Sequence, residues 1–321
     1  MIHARGLTRT FVTRHGKARK EIKAVAGVDI DVAEGEIVGF LGPNGAGKTT
    51  TLRMLTTLLK PTSGTASVAS FDLFRDAVKV RRSIGYVSQS GSTSRNALAG
   101  PEIVDHGMLY GIGKAKATAR GRELLDQLDL AGTWDRPTKT LSGGQRRRLD
   151  IAMGLVHDPR LVFLDEPTTG LDPQARANLW THISALRTVR GSTVFLTTHY
   201  LDEADALCDR ILVIDHGVIV AGDTPDRLKR QVSGDLVSLT LAAGSDVATA
   251  VATLSRAAED AAQAEGLVVS ARIRDGGAAL PALLRALDAS GVTLDSIEVR
   301  RPTLDDVFLT MTGRSLREEA S

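Results

Sequence analysis

A single cysteine, Cys208, stands in a chain of 321 residues. That excludes an internal disulfide or a cysteine metal cluster and fits a reducing compartment, with the thiol inert and buried. Excess charge of one sign is missing too: 40 basic side chains face 38 acidic ones, for a formal charge of +2. Binding dominated by nucleic-acid phosphates needs a strongly basic face, so nucleic acid is not an expected partner. Nor does any apolar run approach the roughly 20 residues that cross a bilayer. The longest candidate, 211–221, is broken by Asp215, His216 and Gly217. Residues 1–10 lack the apolar core of a secretory signal, so the chain is expected to stay in the cytoplasm. Aromatics are scarce at 4%, but 42% hydrophobic and 24% charged residues make an ordinary globular composition able to bury a sizeable core. The length suits one large α/β domain plus a small second one.

The pattern along the chain supports that division. An apolar run at 36–41 leads into the glycine-rich stretch 42–47, and 48–60 reads as a helix stopped by Pro61-Thr62-Ser63-Gly64. Short β-rich runs follow at 65–69 and 84–87. Between residues 88 and 157 helical patterns dominate, at 102–110, at 115–128 and in a long helix starting near Ser142, as in a helical insertion. From Arg160 strand and helix alternate again: 161–164, a helix from Pro173 to about Arg190, 193–197, a short helix through Leu207, and 211–214. Such alternation predicts a largely parallel sheet with helices on its faces. After Gly234 the style changes. Val237, Leu239 and Leu241 alternate, Val247, Val251, Leu254 and Ala258 recur at helical spacing, and Val269, Ala271 and Ile273 alternate. The expected organisation is therefore a domain over 1–230 with its helical subdomain at about 88–157, a small α+β domain over 235–313, and a disordered tail at 314–321.

Three motifs carry chemistry. The first is Gly42-Pro43-Asn44-Gly45-Ala46-Gly47-Lys48-Thr49, followed by Thr50, between a predicted strand and a predicted helix. Its glycines let successive N–H groups turn inward, the helix start adds positive potential, Lys48 reaches the β- and γ-phosphates, and Thr49 offers a hydroxyl to Mg²⁺. The second is Leu161-Val162-Phe163-Leu164-Asp165-Glu166. Its strand places Asp165 where it can hold Mg²⁺ through water, with Glu166 next in line as the general base. The third is Leu141-Ser142-Gly143-Gly144-Gln145, in which Ser142 is an N-cap and the following N–H groups point at an anion.

Together and in this order, these motifs resemble the nucleotide-binding subunits of ATP-binding-cassette (ABC) transporters, over roughly residues 1–230. The resemblance implies an α/β P-loop NTPase core with a helical subdomain, ATP as substrate, Mg²⁺ as cofactor, and two chains packed head to tail. In that arrangement Ser142, Gly143, Gly144 and Gln145 of one chain serve the nucleotide on the P-loop of the other. Gln89 matches the glutamine that touches metal and water, His199 the histidine that contacts the γ-phosphate, and Asp172, in Gly170-Leu171-Asp172, the loop linking the two sites. Phe11 lies where the family stacks an aromatic ring on adenine, although a core role fits it equally, and Val25 lies near the second contact with the base. A separate integral-membrane permease is the implied partner, with this chain on the cytoplasmic side of the membrane.

Two stretches depart from the family or stay open. The segment 90–100 does not follow its commoner wording, and the basic stretch 14–20 is either a solvated loop between strands or a contact for lipid headgroups. The ending Arg301-Pro302-Thr303-Leu304-Asp305-Asp306-Val307-Phe308-Leu309 resembles the daunorubicin-resistance type of drug-export ATPase, which implies drugs, antibiotics or lipids as cargo. Thr303 and Asp306 also read as a helix capping box. The C-terminal unit suits dimer support or regulation. A chromosome-maintenance ATPase would need a long coiled coil, for which the stretch between Lys48 and Ser142 is too short, and a ribosome-acting cassette protein would normally carry two cassettes.

Overall fold

The computed structural model describes residues 1–15, 18–94, 96–232, 234–258 and 260–313. The expected tail at 314–321, and Gly16 and Lys17 of the basic stretch, lie outside the described residues. The chain divides into two compact units that part between Pro225 and Asp226, a few residues before the break expected after residue 230.

The first unit opens with two long antiparallel strands, β1 (Ile2–His15) and β2 (Ala18–Val32), followed by β3 (Ile37–Leu41) and α1 (Lys48–Leu55). Next come β4 (Ser63–Val68), β5 (Phe71–Asp72), α2 (Ala77–Ser83) and β6 (Ile84–Val87). Three helices follow, α3 (Ala99–Leu109), α4 (Lys114–Gln127) and α5 (Gly143–Leu155), and they pack on one another. The unit continues with β7 (Leu161–Asp165), α6 (Pro173–Arg190), β8 (Thr193–Thr198), α7 (Leu201–Leu207), β9 (Arg210–Asp215) and β10 (Val218–Asp223).

Its main sheet runs β10-β9-β3-β8-β7-β6, parallel except at β10, and a second, antiparallel sheet runs β2-β1-β4-β5. Every residue of β3, β7 and β8 is buried, as strands covered on both faces require. Three phenylalanines meet here: Phe40 and Phe163 each approach Phe195, with ring centroids 5.6 and 5.7 Å apart. One expected boundary fails. The helix predicted over 48–60 stops at Leu55, where the Thr56 hydroxyl turns back to Leu52 O at 3.0 Å and Thr57 takes φ 63°. A β-branched threonine that bonds the preceding turn and a left-handed residue after it end a helix.

The second unit begins in α8 (Pro225–Arg230) and contains β11 (Asp235–Leu241), α9 (Val247–Ser255), β12 (Gln263–Glu265), β13 (Val268–Ile273), α10 (Gly276–Ala289), β14 (Leu294–Arg300) and α11 (Leu304–Thr312). Its antiparallel sheet, ordered β12-β13-β11-β14, buries one face: Val237, Leu239 and Leu241 with Val269 and Ile273, against Leu254, Leu283 and Leu287 of α9 and α10. Thr303 and Asp306 form the expected capping box at the start of α11, and Arg272 pairs with Asp306 at 2.7 Å.

Candidate functional site

Three adjacent strands deliver the site. β3, β8 and β7 are parallel neighbours, so their C-terminal ends open on one edge of the sheet, where such sheets hold ligands. β3 feeds the glycine-rich loop, β7 ends at Asp165, and β8 ends just before His199. Within the loop Gly47 sits at φ 108°, and a Cβ there would lie 2.6 Å from the carbonyl of Ala24. Only glycine fits that backbone.

The chain then enters α1 with its first N–H groups facing the loop. Lys48, 4% exposed, curls back over the loop and donates to Gly42 O at 2.8 Å and Pro43 O at 3.0 Å. Ala46 closes the loop from inside: its N–H reaches Pro43 O and its carbonyl accepts from Gly217 N–H. Burial lowers the pKa of Lys48, and Glu166 and Asp165 offset that only in part. A cleft of about 200 Å³ is lined by Asn44, Gly45, Gly47, Lys48, Thr49 and Thr50 of the loop and α1, together with Ala24, Gln89 and Glu166.

The adjacent carboxylates Asp165 and Glu166 diverge because Glu166 takes φ 44°, in the left-handed region. Such a conformation costs on the order of 1–3 kcal/mol and persists where surrounding contacts fix it. Asp165, 1% exposed, accepts from the hydroxyl of Thr49 at 3.0 Å and that of Thr197 at 2.8 Å. Thr197 in turn accepts the N–H of Glu166 at 3.0 Å. The Glu166 side chain turns to the cleft. There Gln89 Nε2 donates to it at 2.9 Å and the Thr169 hydroxyl at 3.1 Å. Lys48 Nζ stands 3.3 Å away, and His199 Nδ1 3.4 Å away without the alignment of a hydrogen bond. Burial favours the neutral carboxyl, but His199 and Lys48 outweigh it and hold the pKa at about 2.

Not every predicted residue reaches this cleft. Ser142 and Gly143 are exposed and do not line it. The Ser142 hydroxyl accepts from Gln145 N–H at 3.2 Å, and Gln145 Oε1 accepts from Ser142 N–H at 3.1 Å, so both cap α5, with Gly144 in its first turn. Asp172 caps α6, accepting from Ala175 N–H at 2.9 Å. Phe11 is half-buried on β1 under the Arg9 guanidinium, 4.7 Å from the ring centroid, and is not part of the cleft wall. Val25 is fully buried in the core behind Gly47, and its neighbour Ala24, where the β1–β2 register shifts, lines the cleft.

Thr197 and Arg147 escape the sequence reading. A threonine ending a strand carries no signal of its own, and Arg146-Arg147-Arg148 reads as a solvated helix face. Yet Arg147 is buried and spends its guanidinium on the carbonyls of Ser88, Asp165 and Pro167.

Comparison with known proteins finds family matches in both units. Residues 25–169 match the family described as ABC transporter, and residues 224–312 match the C-terminal domain of DrrA1-3-like ATP-binding proteins. The chain is 41% identical to the daunorubicin resistance ATP-binding protein DrrA3 of Streptomyces coeruleorubidus, over 97% of this chain and 99% of that one. It is 33% identical to the linearmycin resistance ATP-binding protein LnrL of Bacillus subtilis (strain 168), over 94% and 97%. Among solved structures, the dimeric post-hydrolysis state of the ATP-binding cassette MJ0796 bound to ADP and Pi superposes with a TM-score of 0.63 at 26% identity, covering 70% of this chain and 98% of that one. The chain belongs to the ATP-binding, ATP-hydrolysing subunits of ABC transporters, of the DrrA type.

Proposed function

We propose that this subunit works as one half of a head-to-tail homodimer, or of a dimer with a related ATPase, on the cytoplasmic face of the cell membrane. There it powers a separate permease that exports drugs, antibiotics or other hydrophobic compounds. Subunits of this family work with membrane permeases and form cassette dimers, and no helix among the described residues is long and apolar enough to cross a membrane. The observation that carries the ATP chemistry is the convergence of Lys48, Gln89 and His199 on one carboxylate, Glu166, beside the phosphate loop. The composite site is supported by Ser142 and Gly143, which stand exposed away from their own chain's cleft. Drug export is supported by the names of the relatives. A different cargo is favoured by the 36% identity to a Nod factor export ATP-binding protein I of Ralstonia nicotianae.

In this reading the N–H groups of the loop and the ammonium of Lys48 bind the β- and γ-phosphates of ATP. The Thr49 hydroxyl and the Asp165 carboxylate, 3.0 Å apart, together with the amide oxygen of Gln89, are an all-oxygen donor set that would hold Mg²⁺. Bound there, Mg²⁺ neutralises charge on the phosphate oxygens. Glu166 takes a proton from the attacking water while Gln89 and His199 orient it. A γ-phosphate draws Lys48 away from Glu166, and losing that cation raises the basicity of the carboxylate toward what a general base needs. Phe11 supplies the ring for adenine, on the hairpin that also carries Ala24.

The test is ATP turnover and oligomeric state of wild type and Glu166→Gln, with and without Mg-ATP. General-base assistance is worth about 10²–10⁴ in rate, so turnover should fall by that factor while ATP stays bound and the dimer accumulates. Turnover at the wild-type rate would remove Glu166 from the mechanism. Hydrolysis by a persistent monomer would remove the composite site.

A further inference from the structure

The turn that presents Gln89 is gripped at both ends by one helix. Gly91 N–H donates to Ser88 O at 3.1 Å and the Ser88 hydroxyl donates to Gly91 O at 3.0 Å, which closes a tight turn around Gln89. Beneath it lies α5. Arg147 donates through Nη1 to Ser88 O at 2.5 Å, through Nη2 to Asp165 O at 2.9 Å and through Nε to Pro167 O at 2.7 Å. It therefore fastens the backbone on both sides of Glu166 to the residue preceding Gln89.

Asp150 stands three residues on, on the same helix face. It is 4% exposed, and its Oδ1 accepts the N–H groups of Ser92 at 2.8 Å and Thr93 at 3.2 Å, with the Ser92 hydroxyl at 3.3 Å. The fit is close. Gly91 adopts φ 75°, and a Cβ there would lie 2.6 Å from Asp150 Oδ2. The Ser- and Gly-rich wording after Gln89 thereby acquires a physical reason: small residues let their N–H groups reach a buried carboxylate. Neither Arg147 nor Asp150 lines the cleft.

We propose that Arg147 and Asp150 are positioning residues for hydrolysis, Arg147 by fixing the backbone around Glu166 to Ser88 and Asp150 by anchoring the far side of the Gln89 turn. The inference rests on the reading of Glu166 as the general base and Gln89 as its partner. Together the two residues set the 2.9 Å contact between Gln89 Nε2 and Glu166 Oε2. Misplacement of a reacting group by about 1 Å costs up to roughly 10²-fold in rate, so a modest shift of this frame is visible in kinetics.

Steady-state ATPase kinetics of the full chain, normalised to folded protein, test it. Asp150→Ala should lower kcat roughly tenfold, because it displaces groups that orient the water without touching the phosphates; the KM for ATP should hold within about twofold. Asp150→Asn keeps an acceptor oxygen and should recover most of the loss. In a Gln89→Ala background, Asp150→Ala should cost less than about twofold more, since both act through one turn. If Asp150→Ala does not fold, Arg147→Lys keeps the charge but not the planar fork and should show the same fall in kcat at unchanged KM. An unchanged kcat for the folded variant, or factors that multiply in full in the double variant, overturns the proposal. Glu166→Gln is measured alongside: its collapse with Asp150→Ala unaffected defeats this inference alone, and its wild-type turnover defeats the general-base reading and the inference with it.

Discussion

The two units use strands in opposite ways. In the first, β3, β7 and β8 are buried along their whole length, and the polar groups of the cleft gather at or beyond the C-terminal ends of those strands, at Lys48, Asp165, Glu166 and Thr197. In the second, β11 and β13 alternate, burying every other residue against α9 and α10. A doubly covered sheet gives a rigid apolar floor, and the chemistry is concentrated in the loops above it. A sheet covered on one face gives a small core whose sequence is explained by packing alone. Substitutions should therefore cost the first unit its activity before its fold, and the second its fold alone.

The largest stability effect should fall in the second unit. Leu239 is fully buried at the centre of its core, and Leu239→Ala should cost about 2–5 kcal/mol. Because two units need not unfold together, hydrogen exchange read by segment is the suitable measurement. Faster exchange over β11 and β13, with protection of β3 and β7 unchanged, is expected. Equal loss of protection in both would break the comparison.

Next comes Thr197→Val, which keeps shape but removes the hydroxyl that joins Asp165 to the N–H of Glu166. A buried donor or acceptor left unpaired costs on the order of 1–3 kcal/mol. The sharper sign is kinetic: turnover should fall more than ATP affinity, because Lys48 and the loop are untouched. A variant that loses stability at wild-type turnover per folded molecule would show that the polar cluster serves the fold only.

Much of this was readable from residue order, and the failures have physical causes. The strand, loop and helix around residues 42–49 carry their own punctuation, and Pro173, Thr303 and Ser142 announce helix starts through capping chemistry. Ala24 lines the cleft where the β1–β2 register shifts, an irregularity that simple strand alternation does not reveal. The end of α1 depends on Thr56 choosing a bond to its own helix. Arg147 depends on three carbonyls drawn from two separate segments, and no local pattern encodes that.

The smallest effect concerns the second unit's own electrostatics. Asp306 is held below its ordinary pKa of 3.8: burial pushes it up, but Thr303 and Arg272 more than compensate. A carboxyl whose folded pKa is depressed adds stability that is present above its unfolded pKa and is lost as pH falls through the folded one. Asp306→Asn keeps a capping oxygen but drops the charge facing Arg272, so it should cost about 1 kcal/mol at neutral pH, the scale of a helix cap. That gap should begin to close below about pH 4, where the unfolded carboxyl takes up its proton, and should finish closing below the depressed pKa of the folded one. A gap that persists undiminished in acid would assign the effect to the shape of the capping box and not to charge. The ATPase rate at neutral pH, set by groups of the first unit, should be indifferent to this substitution. If it is not, charge at the start of α11 influences the phosphate site, and the division of labour between the two units fails at that point.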